Sequence, residues 1–129
     1  MTTVNLTENM FSETIKGNSI VFVDFWAEWC GPCRNFAPVY EKASEANPDI
    51  VFAKVDTETE QALAGSFQIT SIPTLMAIRD GVVLYSQAGA LPQDALNNLV
   101  QAVRDVNMEE VRAEIAKSES GEPENGESK

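Results

Sequence analysis

The sequence contains no histidine and only two cysteines among its 129 residues. Without histidine the chain cannot form a Ser-His-Asp triad, use a histidine base or bind a metal through imidazole. A small secreted domain held by disulfides would carry several separated cysteine pairs. Here the two cysteines, Cys30 and Cys33, stand close together in the sequence. This pattern favours redox chemistry at one pair over a structural disulfide framework.

Basic residues are also scarce, with nine Lys and Arg against twenty Asp and Glu and a net charge of −11. Nucleic-acid binding needs clustered basic residues, so that class of partner is excluded. The acidic surface is repelled by anionic membranes, and no run approaches the ~20 apolar residues of a membrane span. The N-terminus lacks a basic region followed by an apolar stretch, so we expect no signal peptide. These features predict a cytoplasmic protein, expected to be a monomer.

Hydrophobic patterning predicts an α/β fold with a central mixed β-sheet and helices on both of its faces. The strongest turn signal is Asp80-Gly81, which is typical of a tight hairpin. A strand-helix-strand unit comes before this hairpin, and a helix beginning near Pro92 follows it, so the sheet must be mixed. Four runs rich in apolar residues predict the strands: 20–26, 50–55, 74–79 and 82–88.

Two helix boundaries are predicted from local signals. A first helix is predicted to end near Lys16-Gly17, where Gly17 suits the position after the C-terminus because glycine adopts the left-handed conformation at little cost. Thr57 and Glu60 have capping-box spacing, which predicts a helix that starts at this point.

The domain organisation follows from a change in pattern after Val106. Residues 1–106 are expected to form one domain, and 107–129 a C-terminal extension. A narrow apolar stripe predicts a short helix at about 108–117. The remainder is rich in Glu, Ser and Gly and has too little apolar surface to fold, which predicts a disordered acidic tail.

The segment Cys30-Gly31-Pro32-Cys33 carries the predicted chemistry. At a helix N-terminus, Cys30 would have its thiolate favoured by unpaired amide groups and the helix dipole. We predict that Cys30 is exposed and attacks a target disulfide, and that the more buried Cys33 then resolves the mixed disulfide. Gly31 leaves room for a partner's backbone, and Pro32 suits the first helical turn. No second cysteine pair exists to complete a metal site, so none is expected.

Asp24 and Lys54 each interrupt an apolar strand. Burial is expected to raise the pKa of the Asp24 carboxyl. The two side chains could face each other, with Asp24 accepting the proton of Cys33. Alternatively, Lys54 reaches solvent and Asp24 accepts a hydrogen bond from a local amide. The dithiol nearby favours the first interpretation.

Two further residues leave alternatives open. Trp29, beside Cys30, either contacts partner proteins at the surface or packs within its loop. Pro73 precedes a predicted strand, and the residues alone favour an ordinary trans peptide bond.

The segment 23–33, Val-Asp-Phe-Trp-Ala-Glu-Trp-Cys-Gly-Pro-Cys, resembles the active-site signature of bacterial thioredoxins. The resemblance extends in order over about residues 4–106 and implies the thioredoxin fold. One departure is Arg34, where many members have lysine, and another is the extension 107–129. Further matching positions are Pro38, Lys54, Ser71 to Thr74, Asp80-Gly81 and Gly89 to Leu91.

The resemblance also implies an activity and a site. It implies a protein-disulfide reductase with no bound cofactor, which receives electrons from NADPH through a flavoprotein thioredoxin reductase. Expected clients are ribonucleotide reductase, peroxiredoxins and methionine sulfoxide reductases. Pro73 is expected to be cis, and Asp24 and Lys54 match the buried pair that assists Cys33. The expected substrate-binding positions are Trp29, Gly31, Pro32, Ile72, Pro73, Gly89 and Ala90.

Two other functions are less consistent with these residues. A non-redox binding or holdase module could use the same groove, but it would not need both cysteines together with Asp24 and Lys54. A periplasmic oxidase is disfavoured because its relatives usually have histidine between the cysteines and because no signal peptide is expected.

Overall fold

A computed structural model describes residues 2–119 as one sheet with five surrounding helices. The predicted acidic tail therefore lies outside the described residues, apart from its first two positions. The strands are β1 (Val4–Asn5), β2 (Ile20–Trp26), β3 (Val51–Asp56), β4 (Thr74–Arg79) and β5 (Val82–Ala88). The helices are α1 (Glu8–Gly17), α2 (Gly31–Ala46), α3 (Gln61–Ser66), α4 (Gln93–Asp105) and α5 (Met108–Glu119).

The sheet has the strand order β1-β3-β2-β4-β5. Strands β1, β3 and β2 pair in parallel, whereas β4 pairs antiparallel with both β2 and β5. The predicted mixed sheet is thus confirmed. Three of the four predicted strands match at both ends, and β3 is shifted by one residue. The short edge strand β1 was not predicted.

Side chains on successive strand positions point to opposite faces of the sheet, which divides the core into two layers. Phe22 packs with residues of α2 and α4 on one face. Val23 packs with residues of α1 and α3 on the other. Because both faces are covered, β2 is buried from Ile20 to Phe25, as its continuous apolar run predicts.

The hairpin between β4 and β5 turns at Asp80 and Gly81, whose φ angles are +52° and +80°. Two successive positive φ values are typical of the type I′ turn, which matches the right-handed twist of the flanking strands. The Asp-Gly prediction is therefore confirmed.

Of the two predicted helix boundaries, the first is confirmed and the second is wrong. The first helix ends at Gly17 as expected, although Gly17 is the last residue of α1 and not the C′ residue, and Asn18 follows it as the C-cap. At the second boundary, the Thr57 hydroxyl and backbone N–H both donate to the carbonyl of Trp26 at the end of β2. This side chain is consequently unavailable as a cap, and α3 begins later, at Gln61.

At the hairpin end of the sheet, Arg79 binds the end of α4. One guanidinium nitrogen, Nη1, donates to three backbone carbonyls at 2.8–2.9 Å. Helix C-termini leave carbonyls without partners within the helix, and Arg79 bonds to such groups, although the Val103 carbonyl also accepts from the Val106 N–H. The three acceptors belong to Val103, Arg104 and Val106.

The extension continues from this point as α5. Its first residue, Met108, is buried, and the Asn107 side chain accepts a hydrogen bond from the Glu110 N–H. Arg112 lies 3.5 Å from Asp80 in the hairpin turn. Thus α5 contacts the domain at the hairpin, and it extends two residues further than the helix expected at about 108–117.

Candidate active site

Cys30 and Cys33 form a disulfide at the N-terminus of α2. Cys30 is the N-cap of this helix, and its Sγ accepts a hydrogen bond of 3.1 Å from the Cys33 N–H. The first amides of a helix have no partner within it, and their dipoles place positive charge at this end. After reduction, the same environment would favour negative charge on the Cys30 sulfur.

The expected difference in exposure between the two cysteines is wrong for this oxidised state. Cys30 and Cys33 each expose only 3% of their surface. Cys30 is covered because its Sγ lies 3.8 Å from the carbonyl oxygen of Ile72, and Ala27 and Ile72 pack in the same cluster. The two sulfurs are therefore distinguished by position along the helix and not by exposure.

The positions between the cysteines are open to solvent. Gly31 and Pro32 are both exposed, and a Cβ added at Gly31 would meet no atom within 4 Å. Nothing inside the protein thus requires glycine at this position. The open space in front of it leaves room for a partner, which is the reason the sequence suggested.

A second loop lies against the dithiol. The Ile72–Pro73 peptide bond is cis, as the family resemblance implied and contrary to the expectation from the residues alone. The carbonyl of Pro73 accepts a 2.7 Å hydrogen bond from the N–H of Gly89, whose φ is +112°. Cys30 therefore contacts Ile72, and the adjoining Pro73 is hydrogen-bonded to Gly89, so these four residues lie together. The neighbouring Ala90 is exposed.

Trp29 lies at the surface beside this set, with 66% of its area exposed. Its Nε1 donates a 3.1 Å hydrogen bond to Oε2 of Glu58. The alternative of packing within the loop is therefore wrong. Sequence reasoning missed Glu58, since nothing in the local pattern links it to Trp29, which is 29 positions away.

Asp24 is the most unusual buried group near the dithiol. It is 1% exposed, and neither carboxylate oxygen has a hydrogen-bond partner within residues 2–119. Burial raises its pKa to about 7, and the positive charge of Lys54 partly offsets that rise. The expected rise is confirmed, and the alternative in which Asp24 accepts from a local amide is wrong.

Lys54 is the residue opposite Asp24 in the pairing of β2 with β3. Its Nζ lies 4.9 Å from the centre of the Trp26 ring, a favourable cation–π position. Asp24, Trp26 and Lys54 share the sheet face that α2 covers. Cys33 is buried on the inward face of that helix. The arrangement places a buried carboxyl and the second cysteine in facing layers of the core.

Between residues 2 and 119, no group of three or more His, Cys, Asp or Glu side chains is placed to hold a metal ion. In the same range, every helix is too short or too polar to cross a membrane. Two surface depressions, of about 460 and 420 Å³, are lined by other parts of the chain and not by the dithiol.

Comparisons with known proteins agree with this geometry. The sequence profile of the family described as Thioredoxin matches residues 2–102. A protein of Streptomyces coelicolor named putative thioredoxin 2 is 52% identical over 118 residues, covering 92% of this chain and 88% of its own length. Because residues 1–106 cannot supply 92% of the chain, that match extends into the segment 107–129.

Two further relatives match a smaller share of this chain. The thioredoxin of Bacillus subtilis is 41% identical over 102 residues, covering 78% of this chain and 96% of its own. A solved structure of a Plasmodium falciparum thioredoxin superposes with a TM-score of 0.72 at 36% identity. It covers 77% of this chain and 97% of its own length.

Proposed function

This chain belongs to the thioredoxin family and is a thiol-disulfide oxidoreductase that reduces disulfides in client proteins, and we propose that Cys30 attacks and Cys33 resolves. The observation that carries this assignment is the hydrogen bond from the Cys33 N–H to the Cys30 Sγ. A sulfur that receives a helix N-terminal amide is the better thiolate of the pair.

The reaction has two exchange steps. The Cys30 thiolate attacks one sulfur of the client disulfide, which breaks that bond and releases a client thiolate that takes up a proton. The Cys33 thiol then loses its proton and attacks the Cys30 Sγ of the mixed disulfide, so the second client sulfur leaves as a thiol. Two electrons pass to the client, and the Cys30–Cys33 disulfide found in the structure is the product.

Client binding is assigned to the open surface around the dithiol. The exposed indole of Trp29 offers an aromatic contact, and the exposed Gly89 lies beside the buried Pro73, to whose carbonyl its N–H donates. Gly31, Pro32, Ile72 and Ala90 complete this proposed surface.

Asp24 is proposed to accept the proton of Cys33 during the second step. The positive charge of Lys54 lowers the pKa of Asp24 and so favours its carboxylate form. A general base works best when its pKa lies near the working pH. Burial brings the pKa of Asp24 to about 7, and the residue lies on the sheet face that α2 covers.

The supply of electrons completes the proposal. We propose that NADPH recharges the disulfide through a flavoprotein thioredoxin reductase, with no cofactor bound to this chain. The proposed clients are ribonucleotide reductase, peroxiredoxins and methionine sulfoxide reductases, and the proposed state is a cytoplasmic monomer with residues 1–106 as its functional domain.

Insulin reduction tests this function. Purified protein is mixed with insulin, NADPH and a thioredoxin reductase, and both NADPH consumption and precipitation of the insulin B chain are followed. The account predicts turnover by the native chain and none by Cys30→Ser. Undiminished turnover by Cys30→Ser would contradict it. A cellular function that survives this substitution would instead favour the binding or holdase alternative.

A further inference from the structure

Trp29 and Glu58 form a hydrogen-bonded pair at the surface beside the dithiol. Trp29 precedes Cys30 in the chain, and 66% of its area is exposed, so at least one face of the indole is open to solvent. Its Nε1 donates a 3.1 Å hydrogen bond to Oε2 of Glu58, which is itself exposed. An aromatic face and a carboxylate are therefore held together next to the cysteine that is proposed to attack.

The loop that carries Glu58 is attached to the end of β2. The N–H and the hydroxyl of Thr57 donate to the Trp26 carbonyl, at 2.9 and 3.1 Å. The N–H of Glu58 donates to Oδ1 of Asp56 at 2.9 Å. These bonds fix the backbone of Glu58 beside Trp29 before any client arrives, so binding to the pair requires little ordering of the loop.

The chemistry of this pair favours a cation. The face of an indole ring attracts a Lys or Arg side chain that lies within about 6 Å of the ring centre. The Glu58 carboxylate adds a negative charge 3.1 Å from the ring nitrogen, so a cation over the ring is attracted by both groups. Because the indole N–H already donates to Glu58, the pair offers no hydrogen-bond donor to a client carboxylate.

Two other charged side chains lie close to the dithiol in the sequence. Glu28 precedes Trp29, is exposed and has the same sign as Glu58. Arg34 is exposed on α2, one turn beyond Cys30, and has the opposite sign. Among the residues that the structure describes, only Glu58 accepts the indole N–H, so its charge is the one fixed against the ring.

We propose that Glu58 is a specificity-determining residue, which together with Trp29 favours clients that carry a Lys or Arg side chain close to their reacting cysteine. The inference rests on the proposed function, because it assigns a client chemistry to the surface around Cys30. It acts when the mixed disulfide forms, since that is the step in which the client meets this surface. Exposed charges interact weakly and are screened by salt, so the preference should be about three- to tenfold at low salt and smaller at high salt.

The test uses three short peptides that differ at one residue beside their single cysteine, which is Lys, Gln or Glu. Each cysteine is joined by a disulfide to nitrothiobenzoate. Attack by the Cys30 thiolate forms a disulfide with the peptide and releases the coloured nitrothiobenzoate thiolate, which is followed by absorbance. Each rate is divided by that of mercaptoethanol with the same peptide, which removes the effect of the flanking charge on the disulfide itself. We expect the reduced native chain to react about three- to tenfold faster with the Lys peptide than with the Gln peptide, and slowest with the Glu peptide.

Two matched variants assign this preference to one carboxylate. Glu58→Gln removes the charge and keeps an oxygen that can accept from the Trp29 N–H, and it should lose most of the preference for Lys over Gln. Glu109→Gln makes the same change at an exposed residue of α5 and should keep that preference. The proposal is overturned if the native chain shows no preference, if Glu58→Gln retains it, or if both variants lose it equally.

Cys30→Ser separates this inference from the proposed function. Release that is undiminished in Cys30→Ser overturns the proposed role of Cys30 and this inference with it. Release that requires Cys30 but is equally fast for the three peptides overturns this inference alone.

A second measurement locates the cation without any reaction. The oxidised protein is titrated with a Gly-Arg-Gly peptide and with a Gly-Gln-Gly peptide, both with blocked ends, and the two indole N–H signals are followed by ¹⁵N NMR. The Arg peptide should shift the Trp29 signal more than the Gln peptide does, while the signal of Trp26, whose Nε1 is buried, stays in place. Equal shifts of the Trp29 signal by the two peptides overturn the proposal.

Discussion

The two ends of the sheet differ in whether their polar groups have hydrogen-bond partners. At the dithiol end, Oδ1 and Oδ2 of Asp24 and Nε1 of Trp26 are buried without partners in the described chain. At the hairpin end, Arg79 satisfies three carbonyls with one nitrogen. An unpaired buried polar group costs about 1–3 kcal/mol, so the dithiol end gives up stability that the hairpin end retains. The comparison indicates that chemistry is concentrated at one end and structural anchoring at the other.

Removing the anchor should have the largest effect on stability. Arg79→Met deletes three hydrogen bonds from a charged donor and leaves carbonyls at the end of α4 unpaired. We expect the free energy of unfolding to fall by about 2–4 kcal/mol in urea titrations, with insulin reduction by the folded protein changed only a few-fold.

Arg112→Met is the matched control for that variant. Its ion pair with Asp80 spans 3.5 Å between side chains that are 57% and 37% exposed, so its loss should cost less than about 1 kcal/mol. Equal losses for the two arginines would show that the carbonyl contacts of Arg79 do not anchor the end of α4.

At the dithiol end, Asp24→Asn should raise the free energy of unfolding by an amount that depends on pH. Folding raises the pKa of Asp24 from 3.8 to about 7, so the folded state binds more protons between these values. The contribution of Asp24 to the free energy of unfolding is therefore most favourable below pH 4 and is lost as pH rises toward 7. Asp24→Asn should gain roughly 1–3 kcal/mol over the native chain at pH 8 and almost nothing at pH 4.

The same variant should slow mixed-disulfide resolution by about tenfold or more, while mixed-disulfide formation stays nearly unchanged. Glu28→Gln is the control, since it removes an exposed carboxylate close to the dithiol and should alter neither quantity. If Asp24→Asn gains the same stability at pH 4 and pH 8, folding does not raise the pKa of Asp24 by burying its charged form.

Truncation after Val106 should have the smallest effect on catalysis. It removes the buried Met108 and the Arg112 contact, both at the end of the sheet away from the dithiol. We expect a loss of about 1–2 kcal/mol in stability, with insulin reduction and recharging by the reductase within a few-fold of the full chain. Loss of most activity would place the extension in the catalytic or docking surface.

The sequence predicted the features that depend on local chemistry. The Asp80-Gly81 turn needs two positive φ angles, and the apolar run of β2 needs cover on both faces, so each could be read from its own residues. The dithiol spacing and the burial of Asp24 were likewise visible in the pattern.

Features that depend on distant partners were not predictable in this way. Thr57 has the spacing of a helix cap, but its hydroxyl donates a hydrogen bond to the Trp26 carbonyl, which lies 31 residues away. The contact between Trp29 and Glu58 is similarly invisible locally. The burial of Cys30 depends on the loop that carries Ile72, and only the family resemblance implied that this loop lies against the dithiol.

The central claim is that Cys30 attacks and Cys33 resolves, and trapping of the intermediate tests it most directly. Reduced Cys33→Ser and Cys30→Ser are each mixed with a disulfide-containing client protein, quenched with acid and analysed by mass spectrometry. The account predicts a long-lived mixed disulfide through Cys30 in Cys33→Ser, because the resolving thiol is missing, and little adduct in Cys30→Ser. Equal or faster adduct formation through Cys33 would contradict it.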